Sequence, residues 1–263
     1  MKIGKATVPR SGITTSDAER IVVRGQDLSR DLIGQVNFAD YFVFLLTGRK
    51  PDAAMSAVVN ATLVAIADHG LVPSVQAARM TYAAAPEALQ GAVAAGILGC
   101  GSVILGSSET VGRMFVEIDA QAKRSGGDLR AAATTVVRAW REGKRAIPGY
   151  GHPEHKQRDP RVDALFAVSL SAGAGQHFIG IAQVVEEVIP GIVGKDLKLN
   201  VSAAIPAVLL GVGFPVGALK GVPILARTAA LIAHLHEEQA DPIGFALSYQ
   251  AMRAFEYTGE MPD

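Results

Sequence analysis

NFADYFVFLLTG, residues 37–48, reads as one complete helix with both ends marked. Asn37 is a favoured N-cap, because a short side-chain oxygen can accept from the backbone N–H groups that a first helical turn leaves without partners. Asp40 follows three residues later, where a carboxylate suits the positive end of the helix. The apolar run Tyr41 to Leu46 supplies the face to bury, and Gly48 is the stop. The same punctuation recurs along the chain. Pro51 lies near the first turn of a second helix that reaches about Ala67, and Pro86-Glu87-Ala88-Leu89 opens a third. Residues 129–141, 160–170 and 222–238 carry further helical patterns, with Gly and Pro clusters in the gaps. Strand signals are confined to a short alternation at Ile21 to Arg24. The fold class is therefore all-α, with ten or more helices at the usual length of about 11–12 residues.

Composition agrees with a packed chain. Of 263 residues 49 % are hydrophobic and 6 % aromatic, which excludes a disordered or collagen-like polymer and leaves one large domain or two small ones. The 25 basic residues balance 25 acidic ones without a basic block, so nothing attracts nucleic acid or an anionic membrane surface. Cys100 is alone and can form no internal disulfide, which suits a reducing compartment. The start, MKIGKATVPRSG, has no apolar stretch of the kind a secretory signal needs, and a cytoplasmic location is expected. Two uncharged runs, residues 88–108 and 199–219, are long enough to test as membrane spans. Gln90 with several glycines and serines in the first, and Asn200, Ser202, Pro206 and Pro215 in the second, favour buried, closely packed helices instead.

Helical periodicity fails most clearly in GKRAIPGYGHPEHKQRDPR, residues 143–161. Loops held by a rigid scaffold tend to carry function. Gly149 and Gly151 permit backbone geometry that could hold His152 at a pocket rim, while Lys156, Arg158 and Arg161 could neutralise carboxylates or phosphates. A solvated basic turn with a surface histidine explains the same residues equally well. His152 and His155 lack a third ligand at zinc spacing, so no metal site is expected. A polar segment at residues 190–198 is a second candidate boundary.

Taken together, these stretches resemble the citrate synthase family. Pro148-Gly149-Tyr150-Gly151-His152 followed by Asp159-Pro160-Arg161 matches that family's Gly-x-Gly-His loop and its closing Asp-Pro-Arg. RGQDLSRDLIGQVNFADYFVFLLTGRKP resembles its leading segment, and Ala67-Asp68-His69-Gly70 with Ser74 resembles its Asp-His segment. Residues 101–111 fit its Gly-rich catalytic helix start, and Ala226-Arg227-Thr228 with Ile232-Ala233-His234 its later helix. The compact length, with little between residues 51 and 67, looks like the citryl-CoA lyase-type members, including the lyase module of ATP-citrate lyase.

The resemblance implies a two-domain helical homodimer, with residues 1–105 and 216–263 forming a large domain and 106–215 a small one on the CoA side. It implies an enzyme that makes or breaks a C–C bond between an acyl-CoA and a 2-oxo acid, acetyl-CoA and oxaloacetate by default. A coenzyme A thioester would be substrate, with no permanently bound cofactor. His152 would be catalytic, His69, Arg161 and Arg227 would bind substrate, and Lys156 would lie near a CoA phosphate. Two positions depart from the pattern. Ile104 stands where the family has a histidine on the thioester carbonyl, as lyase-type members also have an apolar residue there. Ser202 stands where the family has its general-base aspartate, and a serine hydroxyl is poorly suited to abstracting an α-proton near neutral pH. Asp196 and Glu109 are the acids that could substitute, and the alternative is a binding protein for CoA esters or dicarboxylates that has lost the reaction. The family's partner-subunit arginine has no match at Asp241-Pro242-Ile243-Gly244-Phe245, and Arg253 is left unassigned. His155, His177, His234 and His236 are read as surface or packing residues.

Overall fold

The computed structural model describes residues 9–101, 105, 107–151 and 159–262. His152, His155, Lys156, Arg158 and Ile104 lie outside the described residues. A small antiparallel sheet comes first, β1 (Thr14–Ser16), β2 (Ile21–Val23) and β3 (Gln26–Asp27), with Thr14 opposite Val23 and Val22 opposite Asp27. Arg24 ties it to the helices by donating Nε and Nη2 to the Leu45 carbonyl at 2.9 and 2.6 Å. A π-type turn, Leu28–Leu32, leads into α1 (Phe38–Thr47).

The rest is helical: α2 (Ala53–Ala67), α3 (Pro73–Ala84), α4 (Leu89–Leu98), α5 (Ser107–Arg124), α6 (Leu129–Glu142), α7 (Pro160–Ser171), α8 (Gln176–Val193), α9 (Val201–Gly211), α10 (Gly221–Ala240) and α11 (Gly244–Ala254). The caps act as their chemistry requires. Asn37 accepts from the Asp40 N–H at 2.9 Å, and Gly48 closes α1 in the left-handed region. The second helix is capped by Asp52, which accepts from Met55 N–H, so Pro51 precedes the helix rather than sitting in its first turn.

The largest core cluster gathers side chains from α1, α2 and α5 to α10 around α9, whose Val201 and Ala203 to Leu209 are all buried. A helix apolar on every side must be enclosed. Neighbours α5, α7 and α8 enclose it. A second cluster of Val75, Ala78, Ala92, Leu231 and Leu235 joins α3, α4 and α10. Gly96 makes that junction possible: a Cβ there would lie 2.7 Å from Leu231 and 2.8 Å from the Ser74 carbonyl.

Two further readings need correction. The uncharged run 88–108 is not one helix, because α4 ends at Leu98 and α5 begins only at Ser107. Glycine is the weakest helix former after proline, and Gly99-Cys100-Gly101 falls in the break. The expected boundary from residue 190 is instead helical at its start, since α8 runs through Pro190 to Val193. A proline three residues from a helix end removes only one donor late in the ladder. Helices α3, α8 and α11 were not marked out by their sequences. Among the described residues, one helical run, Val216–Ala240, is long and apolar enough to cross a membrane by length and composition. It buries Val222, Ala226, Arg227, Leu231 and Leu235, and its helix α10 packs on α2, α3 and α4.

Candidate active site

The Gly149-Tyr150-Gly151 loop is bolted to the start of α9. Gly151 N–H donates to the Lys198 carbonyl at 2.6 Å, Asn200 N–H donates to the Gly149 carbonyl at 3.0 Å, and Tyr150 pairs with Leu199 as an isolated bridge. Asn200 does two jobs at once: Oδ1 caps α9 by accepting from Ser202 N–H, and Nδ2 donates to the Gly151 carbonyl at 2.7 Å. Gly149 has φ +83°, and a Cβ there would sit 2.7 Å from Ala203 Cβ. Only glycine meets both demands. The Tyr150 hydroxyl donates to the Ala182 carbonyl at 2.9 Å, and burial, helped by Glu186, pushes its pKa well up, so it stays a neutral anchor.

The other end of segment 152–158 is fixed to the same place. Asp159 caps α7 by accepting from Arg161 N–H, receives Arg161 Nε and Nη2 at 3.0 and 2.8 Å, and accepts from Val201 N–H at 3.3 Å. Burial alone would raise the Asp159 pKa. The bonds from Arg161 and Val201 outweigh it and hold the carboxyl below its ordinary range. Residues 151 and 159 therefore both meet the N-terminal turn of α9, which carries the half-buried Ser202. Arg161 spends two nitrogens on Asp159 and keeps Nη1 outside that pair.

A second group forms where the α2 C-terminus meets α10. Arg227 is 3 % exposed, and its Nε and Nη1 have no hydrogen-bond partner among the described residues. Among the described residues the carboxylate that approaches it is Asp68, whose Oδ1 stands 3.9 Å from Nη1, beyond hydrogen-bond range. Asp68 instead accepts from His234 Nε2 at 3.0 Å. Burial would raise the Asp68 pKa, but His234 and the backbone N–H groups of His69 and Gly70 bring it below its ordinary value. The exposed His69 is thereby placed on a turn shaped by Asp68. Ser74 Oγ, in the first turn of α3, is also buried without a partner among the described residues. Burial pushes the Cys100 thiol up, against the charges of Arg227 and Lys220, so it remains protonated near neutral pH. Free, buried guanidinium donors are costly unless an anion completes them. Open donors of this kind suit an anionic partner such as a carboxylate.

Residues 14–244 match the family described as Citrate synthase, C-terminal domain. The chain belongs to the citrate synthase family. Among solved structures, citryl-CoA lyase from Hydrogenobacter thermophilus is similar over 98 % of this chain and 97 % of its own, at 33 % identity and a TM-score of 0.83. Citrate synthase from Thermotoga maritima covers 87 % of this chain and 59 % of its own at 23 % identity, with a TM-score of 0.65, and shares the fold. Citrate synthase from Haloferax volcanii is 26 % identical over 209 residues, which are 78 % of this chain and 52 % of that protein. The chain spans about half the length of the curated relatives it matches.

Of the residues expected at a citrate synthase-family site, His69 and Arg227 share one group, while Arg161 and Ser202 share the other. Helix α2 packs on both α10 and α7, which carry the two arginines. His152, Lys156 and Ile104 lie outside the described residues. Asp196 pairs with Lys198 at 2.8 Å and Glu109 with Arg113 at 2.7 Å. His177 pairs with Asp119, and His236 is exposed, as a surface role requires. His234 is different: it is the hydrogen-bond partner of Asp68 beside Arg227. Its spacing from Arg227 along one helix, seven residues or two turns, was the signal available in the sequence. Among the described residues no group of three metal-ligating side chains occurs.

Proposed function

We propose that the chain makes or breaks a C–C bond between an acyl-CoA and a 2-oxo acid, with citryl-CoA cleavage to acetyl-CoA and oxaloacetate as the leading reaction. The observation that carries this is Arg227, a buried guanidinium with Nε and Nη1 open among the described residues and Asp68 3.9 Å away. In cleavage, a base takes the hydroxyl proton while the C–C electron pair moves into the thioester enolate. The enolate then takes a proton at its α-carbon. His152 is the base in this reading, Arg227, Arg161 and His69 bind the oxo acid, and Lys156 meets a CoA phosphate. The coenzyme A thioester is substrate, and no permanent cofactor takes part. The likeness to citryl-CoA lyase over nearly the whole of both chains supports cleavage over condensation.

The same reading takes residues 1–105 and 216–263 as a large domain, 106–215 as a small one, a homodimer as the working form and the cytoplasm as its place. Phe245, Tyr249 and Met252, exposed at i, i+4 and i+7 of α11, support a second copy covering that helix. Ser202 favours a second reading, a CoA-ester or dicarboxylate binding protein, since its hydroxyl stands on the α9 turn in place of an acid.

The test is incubation of the purified chain with citryl-CoA, and separately with acetyl-CoA and oxaloacetate, following free thiol and acetyl-CoA together. Acetyl-CoA without thiol is expected. Thiol release would assign the synthase direction, and binding without turnover would assign the binding protein.

A further inference from the structure

Asp68 lies between a histidine and an arginine and touches only the histidine. Its Oδ1 is 3.0 Å from His234 Nε2 and 3.9 Å from Arg227 Nη1. A carboxylate only accepts, so Nε2 carries the proton in this bond. On its other side, His234 Nδ1 faces Glu237 Oε2 at 3.9 Å, and Glu237 is itself fixed by Arg79 Nη1 at 2.6 Å. Arg79 is buried and also binds Glu238 and the Asp241 carbonyl, which anchors the end of α10 against α3. The imidazole thus presents one N–H to Asp68, while Glu237 stands 3.9 Å from its other nitrogen without a hydrogen bond. Asp68 is over half exposed, at 54 %, and no hydrogen bond to Arg227 restrains it. Released from His234, its shortest route to a strong partner is the open Nη1 of Arg227.

We infer that His234 is a positioning residue that keeps Asp68 off Arg227, so that the guanidinium stays open to a substrate carboxylate. The inference rests on the reading that Arg227 binds a carboxylate. Without the imidazole, Asp68 closes the gap and becomes an internal competitor for the same nitrogen. Moving a unit charge from 3.9 Å to about 2.8 Å at an effective dielectric near 20, discounted for solvent exposure, predicts about threefold to tenfold weaker carboxylate binding.

The experiment is calorimetric titration of the full chain with oxaloacetate and with malate. The variants are His234→Ala, His234→Gln, and His234→Ala combined with Asp68→Asn. His234→Ala should weaken binding by about threefold to tenfold. The glutamine amide can still donate to Asp68, so His234→Gln should stay near wild type. The double variant should recover most of the affinity, because the asparagine amide carries no charge to compete for the guanidinium. A merely structural histidine would leave the double variant as weak as the single one, and that result overturns the inference. Should His234→Ala fail to fold, Asp68→Asn alone decides: affinity equal to wild type or tighter supports the inference, and a loss overturns it. If wild type binds dicarboxylates but shows no C–C chemistry, only the proposed reaction fails. If wild type binds none, the carboxylate role of Arg227 fails and the inference with it.

Discussion

Replacing Asp159 with asparagine removes a charge from the point where the loop, α7 and α9 meet. Its two oxygens receive Arg161 N, Nε and Nη2 and Val201 N at 2.8–3.3 Å, and the side chain is 1 % exposed. Asparagine keeps the shape and one acceptor, but turns an NH₂ group toward donors. Breaking a fully buried ion pair costs about 3–5 kcal/mol. Arg161 is 22 % exposed and can be partly rehydrated, which brings the expectation to about 2–3 kcal/mol. At about 2 °C per kcal/mol for a chain this long, the melting midpoint should fall by about 4–6 °C. The pH dependence has a defined sign. The folded pKa of Asp159 is depressed, so its stabilisation is complete above the unfolded value near 3.9 and is lost as pH falls through the folded value. Urea midpoints of wild type and Asp159→Asn at pH 7, 5 and 3 measure this. The gap should be equal at pH 7 and 5 and narrower at pH 3. A gap under about 0.5 kcal/mol at pH 7, or one that widens in acid, refutes the assignment of Asp159 as the ionised clamp.

Two further outcomes follow from the same geometry. Gly149→Ala places a methyl 2.7 Å from Ala203 Cβ at a positive φ, so it should cost about 2–4 kcal/mol in denaturant unfolding, where a neutral result would mean the loop is not held as described. Ser202→Asp puts a carboxylate on the α9 turn and should speed α-proton exchange on bound acetyl-CoA by about 10²–10⁴-fold, read by deuterium incorporation. Wild type exchanging equally fast would show that another residue is already the base.

The sequence by itself determined the helical class, the Asn37 cap and the candidate residues, because those follow from local chemistry. Asn37, Asp52, Asp128 and Asp159 each accept from a backbone N–H two or three residues on, within the reach of one helical turn. The glycines of the 149–151 loop were legible for the same reason, since positive φ is a property of single residues. Helices α3, α8 and α11 were less so: α3 and α11 have no side-chain cap and α8 begins at a left-handed Gly175, so no capping oxygen marks where they start. Tertiary structure alone decided which charges meet. Asp68 and His234 are 166 residues apart, and Arg79 and Glu238 are 159 apart. No periodicity links positions so distant, because their pairing depends on how α10 lies across α2 and α3. The same packing left Arg227 enclosed with open donors while Arg161, an arginine equally suited to a carboxylate, was taken up by its neighbour Asp159. Residue type established that both could bind a carboxylate. Burial and the position of the nearest acid decided how their nitrogens are held: among the described residues Arg227 keeps Nε and Nη1 open, while Arg161 commits Nε and Nη2 to Asp159.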